Sequence, residues 1–115
     1  MESSLGTVAI HPTVLAAVAR LTALATPGVA RMSDVRRLGR VLAHPGWGNG
    51  VELSVVDDTV TVDLYVVAEP DINLVQLGQA VQGEVRRAIR DMVGMEVAAV
   101  NVHIQDVDFP LVNSL

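Results

Sequence analysis

The chain of 115 residues contains no cysteine and no lysine, and only three of its residues are aromatic: Trp47, Tyr65 and Phe109. The absence of cysteine excludes disulfides, thiolate metal sites and cysteine nucleophiles. The shortage of aromatic residues means that the core must be built from Val, Leu, Ile and Ala. Half of the residues are hydrophobic, so a chain of this length can bury a core as one domain, which we expect to span residues 1–115.

Segments that would mark secretion or membrane insertion are also missing. The first residues lack the basic region and the long apolar run of a secretory signal, and no run approaches the roughly 20 apolar residues that span a bilayer. We therefore expect a cytoplasmic protein without direct membrane insertion, which would lie at the membrane only through a partner. The net charge of −5 argues against a nucleic-acid partner, because phosphate backbones repel an acidic protein.

The basic residues are all arginines, and most of them fall into two groups. Each group predicts either an anion-binding patch or the solvated side of a helix. The first group is Arg31, Arg36, Arg37 and Arg40, and the second is Arg86, Arg87 and Arg90.

The spacing of apolar residues changes from strand-like to helix-like near the start of the chain. Residues 6–10 (GTVAI) alternate like a short strand. Residues 11–25 carry apolar side chains at helical steps, among them Val14, Leu15, Val18 and Leu21, which predicts a helix with Pro12 in its first turn. The sequence TPGV that follows ends this helix.

Residues 30–50 carry weaker signals. Residues 34–43 fit a short amphipathic helix, and residues 44–50 (HPGWGNG) form a loop by composition. Trp47 in this loop either covers the core of its own domain or anchors a partner.

A hairpin is predicted in the second half of the chain. Residues 51–55 and 60–67 alternate apolar and polar side chains, and residues 57–59 (DDT) between them form a tight turn. The side chains predicted to face inward are Val51, Leu53, Val55, Val60, Val62, Leu64 and Val66.

A long helix and a last strand follow the hairpin. Residues 72–93 have helical spacing after an N-cap at either Asp71 or Asn73, and Gly94 ends the helix. Alternation then predicts a strand at residues 96–107. The buried face predicted for the helix is Leu74, Leu77, Val81, Val85, Ala88 and Met92.

The elements follow one another in the order β-α-β-β-α-β. This order predicts an α+β fold, a two-layer sandwich in which a mainly antiparallel sheet carries two helices on one face. Both helices should lie on one face because each strand has only one consistently apolar side. The other face of the sheet would be open to water or to a partner.

No combination of residues predicts a metal or catalytic site, and we expect no cofactor. His103, Asp106 and Asp108 form the best local cluster of possible ligands, but a regular strand would place His103 and Asp106 on opposite faces. Ser54 and Thr61 could lie across the sheet from His103, yet no nucleophile motif accompanies them.

Polar residues on the strands predict a surface on the outer sheet face. RNA-recognition modules share this topology, but they stack bases on several sheet aromatics and have a basic rim, whereas this face has one aromatic residue beside acidic ones. The face is either solvated or a docking surface for a protein partner or a second copy. The candidate interaction surface is Asp63, Tyr65, Asn101, His103 and Gln105 on the sheet, with Arg86, Arg87 and Arg90 on the second helix.

Three segments together resemble the bacterial alkaline shock protein or envelope stress response family. They are GTVAIHPTVLAAVA with the following TPGVA, the strand VTVDLYVV, and VQGEVRRAIRDMVGMEVAAVNVHIQDV, where a helix, a glycine and an alternating strand follow one another. The resemblance covers residues 6–107 and includes no catalytic motif. EPDIN replaces a tyrosine-glycine turn often seen in members, and the lysine-rich extensions of some members are missing, so a particular member's partner is not carried over.

The resemblance implies a small, cytoplasmic, non-enzymatic protein linked to cell-envelope homeostasis or, as in some members, to lipid synthesis. Our first hypothesis is a non-catalytic adaptor or scaffold of the envelope stress response, which forms homo-oligomers and binds a protein partner that can itself be membrane-anchored. The second is a regulatory domain that senses an anionic metabolite through Arg86, Arg87 and Arg90, for example in control of lipid synthesis. A third, an enzyme, needs a pocket with perturbed ionisable groups.

Overall fold

The computed structural model of the protein describes residues 5–33 and 50–109. Two helices pack on one face of a four-stranded sheet, which confirms the predicted α+β fold. The elements are α1 (Pro12–Ala25), β1 (Val29–Met32), β2 (Val51–Val56), β3 (Thr59–Ala68), α2 (Leu74–Ala88) and β4 (Glu96–Val107), with a π-helical turn (Ile89–Val93) that extends α2.

Strand β3 is the centre of the sheet. The hairpin partner β2 pairs with its first residues and β1 with its last residues, both antiparallel, while β4 runs parallel along its other side. Parallel neighbours need a crossover connection, and α2 supplies it. The sheet is therefore mainly antiparallel, as predicted.

The core lies between this sheet and the two helices. The inward row of β3 has almost no exposed surface, and the helices cover it with small and aliphatic side chains. The buried row of β3 is Val60, Val62, Leu64, Val66 and Ala68.

The predicted hairpin is confirmed, and its turn is built from two aspartates. Asp57 and Asp58 both have positive φ, 51° and 60°, which is the backbone of the tight turns that join twisted antiparallel strands. Val55, which was predicted to face inward, is exposed at the end of the sheet.

The strand predicted at residues 6–10 is wrong. Residues 7–10 form no strand, and Val8 and Ile10 are exposed. The first strand of the described sheet is β1, which follows α1 after a turn at Gly28 and lies opposite Ala68. A few alternating residues show only that a segment suits a pleated surface, whereas neighbouring strands decide whether it pairs.

Helix α1 forms where it was predicted, and its buried side agrees with the predicted stripe only in part. Leu15 is buried and Val18 packs against the core, whereas Val14 and Leu21 are exposed. Because most of α1 is apolar, periodicity alone does not identify the side that meets the sheet. The buried residues are Leu15, Ala16, Ala19 and Ala23.

Helix α2 begins and ends at two of the predicted signals. Asn73 is the N-cap, because its side chain accepts a hydrogen bond of 2.9 Å from the backbone N–H of Gln76. Gly94, at φ 80°, ends the π-helical turn in the left-handed conformation. Strand β4 then spans the predicted residues.

The buried face of α2 differs from the predicted row at both ends. Leu74 and Met92 are exposed, and Ile89 is buried in place of Ala88. Leu77, Val81 and Val85 lie in the α-helical part, and the π-helical turn begins at the buried Ile89. The observed buried row is Leu77, Val81, Val85 and Ile89.

Several predictions fall outside the described residues. These are the helix at residues 34–43, most of the loop at residues 44–50 with Trp47, and three arginines of the first group, Arg36, Arg37 and Arg40. Arg31, the remaining member, lies 3.6 Å from Asp108 in an exposed ion pair.

Candidate functional site

The outer face of the sheet brings side chains from three strands side by side. Asp63 on β3 lies between Glu52 on β2 and Asn101 on β4, and Tyr65 on β3 lies opposite His103 on β4. Side chains two apart on a strand share a face. The alternation of β3 therefore directs Asp63 and Tyr65 away from the helices.

Tyr65 joins β2 to β4 on this face. Its hydroxyl donates a hydrogen bond of 3.1 Å to Oε1 of Glu52. On the other side its ring stacks on the imidazole of His103, with ring centroids 4.5 Å apart and planes inclined by 13°. Tyr65 is consequently only 7% exposed.

His103 completes the arrangement through its contact with Asp63. The imidazole Nε2 and the carboxylate Oδ1 are 3.0 Å apart, and because an ionised carboxylate only accepts, Nε2–H donates. The His103 side chain is 41% exposed, so its outer edge faces solvent. We call Glu52, Asp63, Tyr65 and His103 the Tyr65 cluster.

The outer face is not open along its whole length. Tyr65 and Val67 are buried, whereas Ser54, Asn101 and Gln105 are exposed. The expectation of a face open throughout is thus wrong at Tyr65 and Val67. The accessible part of the candidate surface lies at Asp63, His103 and the β4 residues next to them.

Two bulges in β4 change the predicted alternation. The first lies opposite Val60 and Thr61, and the second opposite Val66 and Val67. Because a bulge adds a residue to one strand, Asp106 and not Gln105 pairs with Val67. Strand β4 is therefore irregular between His103 and Asp106, and the simple alternation that placed these two residues on opposite faces does not apply.

The described residues contain no group of three or more His, Cys, Asp or Glu side chains that could hold a metal ion. Nor does the structure unite His103 with the two strand hydroxyls. Ser54 pairs with Thr61, and Thr61 precedes Tyr65 on β3 by four residues, about 13 Å along a strand.

The three arginines of α2 do not converge on one point. Arg86 Nη1 donates to the carbonyl of Val97 over 2.6 Å. Arg87 pairs with Glu84 at 3.3 Å, and Arg90 with Asp91 at 3.2 Å. Each guanidinium thus has its own partner.

A groove of about 480 Å³ lies between α2 and the start of β4. Two of its side chains bind strand carbonyls: Arg86 that of Val97, and Gln82 that of Val100 over 3.1 Å. The groove is lined by Gln79, Gln82, Gly83, Arg86 and residues 98–101.

Sequence reasoning placed Asp63, Tyr65, Asn101 and His103 on one face of the sheet, as the strand register shows, but left Glu52 out of the candidate set. The predicted hairpin already puts Glu52 on this face, opposite Asp63. Alternation does not show that Glu52 accepts a hydrogen bond from the Tyr65 hydroxyl. Among the helices of the described residues, none is both long and apolar enough to cross a membrane.

Comparison with known proteins identifies the family. The alkaline shock protein 23 family, whose function is described as cell envelope-related, matches residues 1–109. The chain belongs to this family. The resemblance seen in the sequence is thereby confirmed.

Two relatives come from Bacillus subtilis (strain 168). The uncharacterized protein YqhY is 29% identical over 114 residues, which cover 94% of this chain and 82% of YqhY. The uncharacterized protein YloU is 22% identical over 111 residues, which cover 93% and 92% of the two chains. The similarity thus covers more than nine-tenths of this chain and at least 82% of each relative.

Solved structures of MamM CTD variants share the fold. Two of them align with a TM-score of 0.54 at 13% identity, covering 85% of this chain and 98% and 100% of theirs. At this identity the likeness concerns the arrangement of helices and strands alone.

Proposed function

We propose that the protein is a non-catalytic adaptor in cell-envelope homeostasis that binds a protein partner through the Tyr65 cluster and the adjacent Asn101. The cell envelope-related function of its family supports the setting. The observation that carries the docking surface is the stack of His103 on Tyr65, which fixes a half-exposed imidazole on a buried aromatic ring.

A fixed aromatic platform favours protein binding for an energetic reason. Side chains that are already held in one conformation lose little entropy on association, and aromatic residues surrounded by polar groups are enriched in interface centres. The hydrogen bonds to Glu52 and Asp63 hold the two rings before any partner arrives.

The chemistry of the cluster also indicates which partner groups it suits. Glu52 and Asp63 contribute carboxylates, and Asn101 contributes an exposed amide. Carboxylates accept hydrogen bonds and favour cationic donors. We therefore expect the partner to present arginine, lysine or amide side chains to this face.

The absence of catalysis is part of the proposal. The polar groups of the cluster bind one another. The Tyr65 hydroxyl contacts Glu52, and the His103 imidazole contacts Asp63. A catalytic set instead directs a nucleophile and a base toward a shared position for the reacting atom. This inward pairing supports a binding role over an enzymatic one.

We further propose that residues 1–115 act as one cytoplasmic domain that associates with itself and reaches the membrane through a partner. The net charge of −5 supports the indirect contact with the membrane, since an acidic protein is repelled by anionic lipid surfaces.

Site-specific photo-crosslinking in the native host tests the docking surface. A photoreactive residue at Asn101 should give a discrete crosslinked product, and the variant His103→Ala in the same chain should reduce its yield at least threefold. His103 is preferred to Tyr65 for this change because the buried Tyr65 ring also supports the fold.

The matched control places the same photoreactive residue at Glu84, on the exposed side of α2. Equal products from Asn101 and Glu84, or a product at Asn101 that His103→Ala leaves unchanged, would contradict the proposed surface. Circular dichroism of the purified variant separates lost binding from lost folding.

The groove at α2 supports a second candidate function, sensing of an anionic metabolite. Gln79, Gln82 and Arg86 line the groove, and their side chains carry N–H donors of the kind that recognise carboxylate and phosphate. Micromolar carboxylates or phosphate esters should then raise the melting temperature, and Gln79→Ala should abolish the increase. An unchanged melting temperature across both anion classes would refute sensing.

A further inference from the structure

Helix α1 carries an apolar surface on the side opposite the core. Three of its outward side chains are exposed by 46%, 56% and 37%: Val14, Leu21 and Leu24. With the half-buried Ala17 they form what we call the α1 stripe. The larger aliphatic side chains of α1 therefore point mostly away from the core, while three of its four buried residues are alanines.

The second helix shows what a solvated helix of this protein looks like. The outward side of α2 carries mainly glutamine, glutamate and arginine, with Val75 as its most exposed apolar residue. Helix α1 has Arg20 as its one charged residue. A helix that is apolar on all sides is normally buried on all sides, so the α1 stripe has the character of a covered surface.

The stripe has the spacing of a helix-pairing seam. Its members, at positions 14, 17, 21 and 24, follow steps of three, four and three residues, as in paired helices. The order of these steps is the same from either end of the helix. In an antiparallel pair centred on position 19, Val14 would face Leu24 of the second copy, and Ala17 would face Leu21.

We infer that two copies of the chain associate through antiparallel packing of their α1 stripes. A two-fold interface requires that residue i contacts j while j contacts i, and the reversible spacing meets this requirement. At the inner layer the small Ala17 leaves room for Leu21. This inference rests on the proposed self-association and adds its surface and its direction.

Charge favours a second copy over a lipid surface at this stripe. Copies that each carry a net charge of −5 repel one another, so contact is least costly through an uncharged face. Helices that lie on membranes carry lysine or arginine along their polar side, whereas Arg20 stands alone on α1.

The available area sets the expected strength. A helix of 14 residues is about 21 Å long, so the stripe by itself buries less than the roughly 800 Å² per partner of a standard interface. Further exposed apolar residues lie near the two ends of α1: Ile10 before the helix, and Ile72 beside Gly28 after it. Antiparallel packing brings these ends together, and we expect a dimer of micromolar affinity.

Sedimentation of the full chain over a wide range of concentrations tests the surface. The wild type should change from monomer to dimer, and Leu21→Glu should raise the dissociation constant at least ~10-fold, because dimerisation would bury a charge. The matched control is Val75→Glu, at an apolar α2 position that is 70% exposed and outside the stripe. It should dimerise like the wild type.

Disulfide mapping tests the direction, since the chain has no cysteine of its own. A mixture of Ala17→Cys and Leu21→Cys chains should form mixed disulfides faster than either chain alone. Faster bonding of Ala17→Cys with itself would indicate parallel packing and overturn the antiparallel pair.

The remaining outcomes separate the inference from the self-association on which it rests. A dimer unaffected by Leu21→Glu overturns the stripe and leaves self-association standing, whereas a monomer at every concentration overturns both. A monomer that floats with phosphatidylglycerol vesicles assigns the stripe to lipid. A monomer that Leu21→Glu destabilises on heating assigns it to another segment of the same chain.

Discussion

The guanidinium of Arg86 on α2 donates a hydrogen bond of 2.6 Å to the backbone carbonyl of Val97 on β4. One helical turn earlier, the amide of Gln82 does the same for Val100. Strand β4 pairs with β3 on one side, and no described strand pairs with its other side. The two α2 side chains thus occupy carbonyls of an edge strand, which would otherwise be free to pair with another chain.

This relationship predicts different costs for two adjacent arginines. Arg86→Ala should lower the free energy of unfolding by about 1 kcal/mol, since it removes a charged donor from a backbone carbonyl. Arg87→Ala removes only an exposed ion pair with Glu84 and should cost less than about 0.5 kcal/mol. Urea denaturation of both variants checks the difference. Equal losses would mean that the Val97 contact contributes nothing to stability.

Local signals in the sequence were sufficient for the second half of the fold. The hairpin turn and the stop at Gly94 lie where they were predicted, and the N-cap is Asn73, one of the two residues that the sequence left open. Each of these signals acts through backbone conformation within a few residues. They could therefore be read without knowledge of tertiary contacts.

The failures concern choices that depend on distant parts of the chain. Residues 6–10 alternate, but the place beside Ala68 belongs to β1. Helix α1 is apolar on both sides, so only its packing against the sheet and α2 decides that Ala19 and not Leu21 faces the core.

The candidate site shows the same division. Alternation placed Asp63, Tyr65, Asn101 and His103 on one face, as the register confirms. Alternation could not bring Tyr65 beside His103, because the parallel pairing joins residues about 40 positions apart. The crossover through α2 and the bulges in β4 set that register.

The π-helical turn predicts opposite outcomes for two residues of similar size. Ile89 is fully buried, so Ile89→Ala should cost about 2–5 kcal/mol through lost contacts and the cavity left behind. Met92 is exposed, and Met92→Ala should change stability by less than about 0.5 kcal/mol. Thermal unfolding of the two variants measures both losses of stability. A larger loss for Met92→Ala than for Ile89→Ala would indicate that the regular α-helix continues through residue 92.

The hairpin turn offers a stabilising change. Asp57 and Asp58 both adopt positive φ, a conformation that Asn-Gly satisfies with less strain. The double variant Asp57→Asn with Asp58→Gly should raise the free energy of unfolding by about 0.5–1 kcal/mol. Asp58→Ala, which keeps a Cβ at the same backbone angle, serves as the control and should give no gain.

Two glycines with nearly equal φ allow the cost of backbone strain to be measured apart from the cost of a steric clash. Gly50 and Gly94 have φ of 84° and 80°, so alanine at either costs about 1–2 kcal/mol for the left-handed conformation. A Cβ at Gly50 would also lie 2.7 Å from the carbonyl oxygen of Tyr65 and 2.8 Å from that of Ser33, while one at Gly94 meets nothing within 4 Å. Gly50→Ala should therefore cost about 3 kcal/mol or more in chemical denaturation.

Backbone strain is common to Gly50→Ala and Gly94→Ala. The difference between the two variants therefore measures the cost of the clash at Gly50. Ser33 donates to the carbonyl of Tyr65, and Tyr65 donates to the carbonyl of Gly50, each over 2.8 Å. A Cβ at Gly50 displaces these bonds and with them the strand that carries the Tyr65 ring. Gly50→Ala should thus also reduce crosslinking from Asn101, which Gly94→Ala leaves intact, and equal effects of the two variants would disprove the close packing at Gly50.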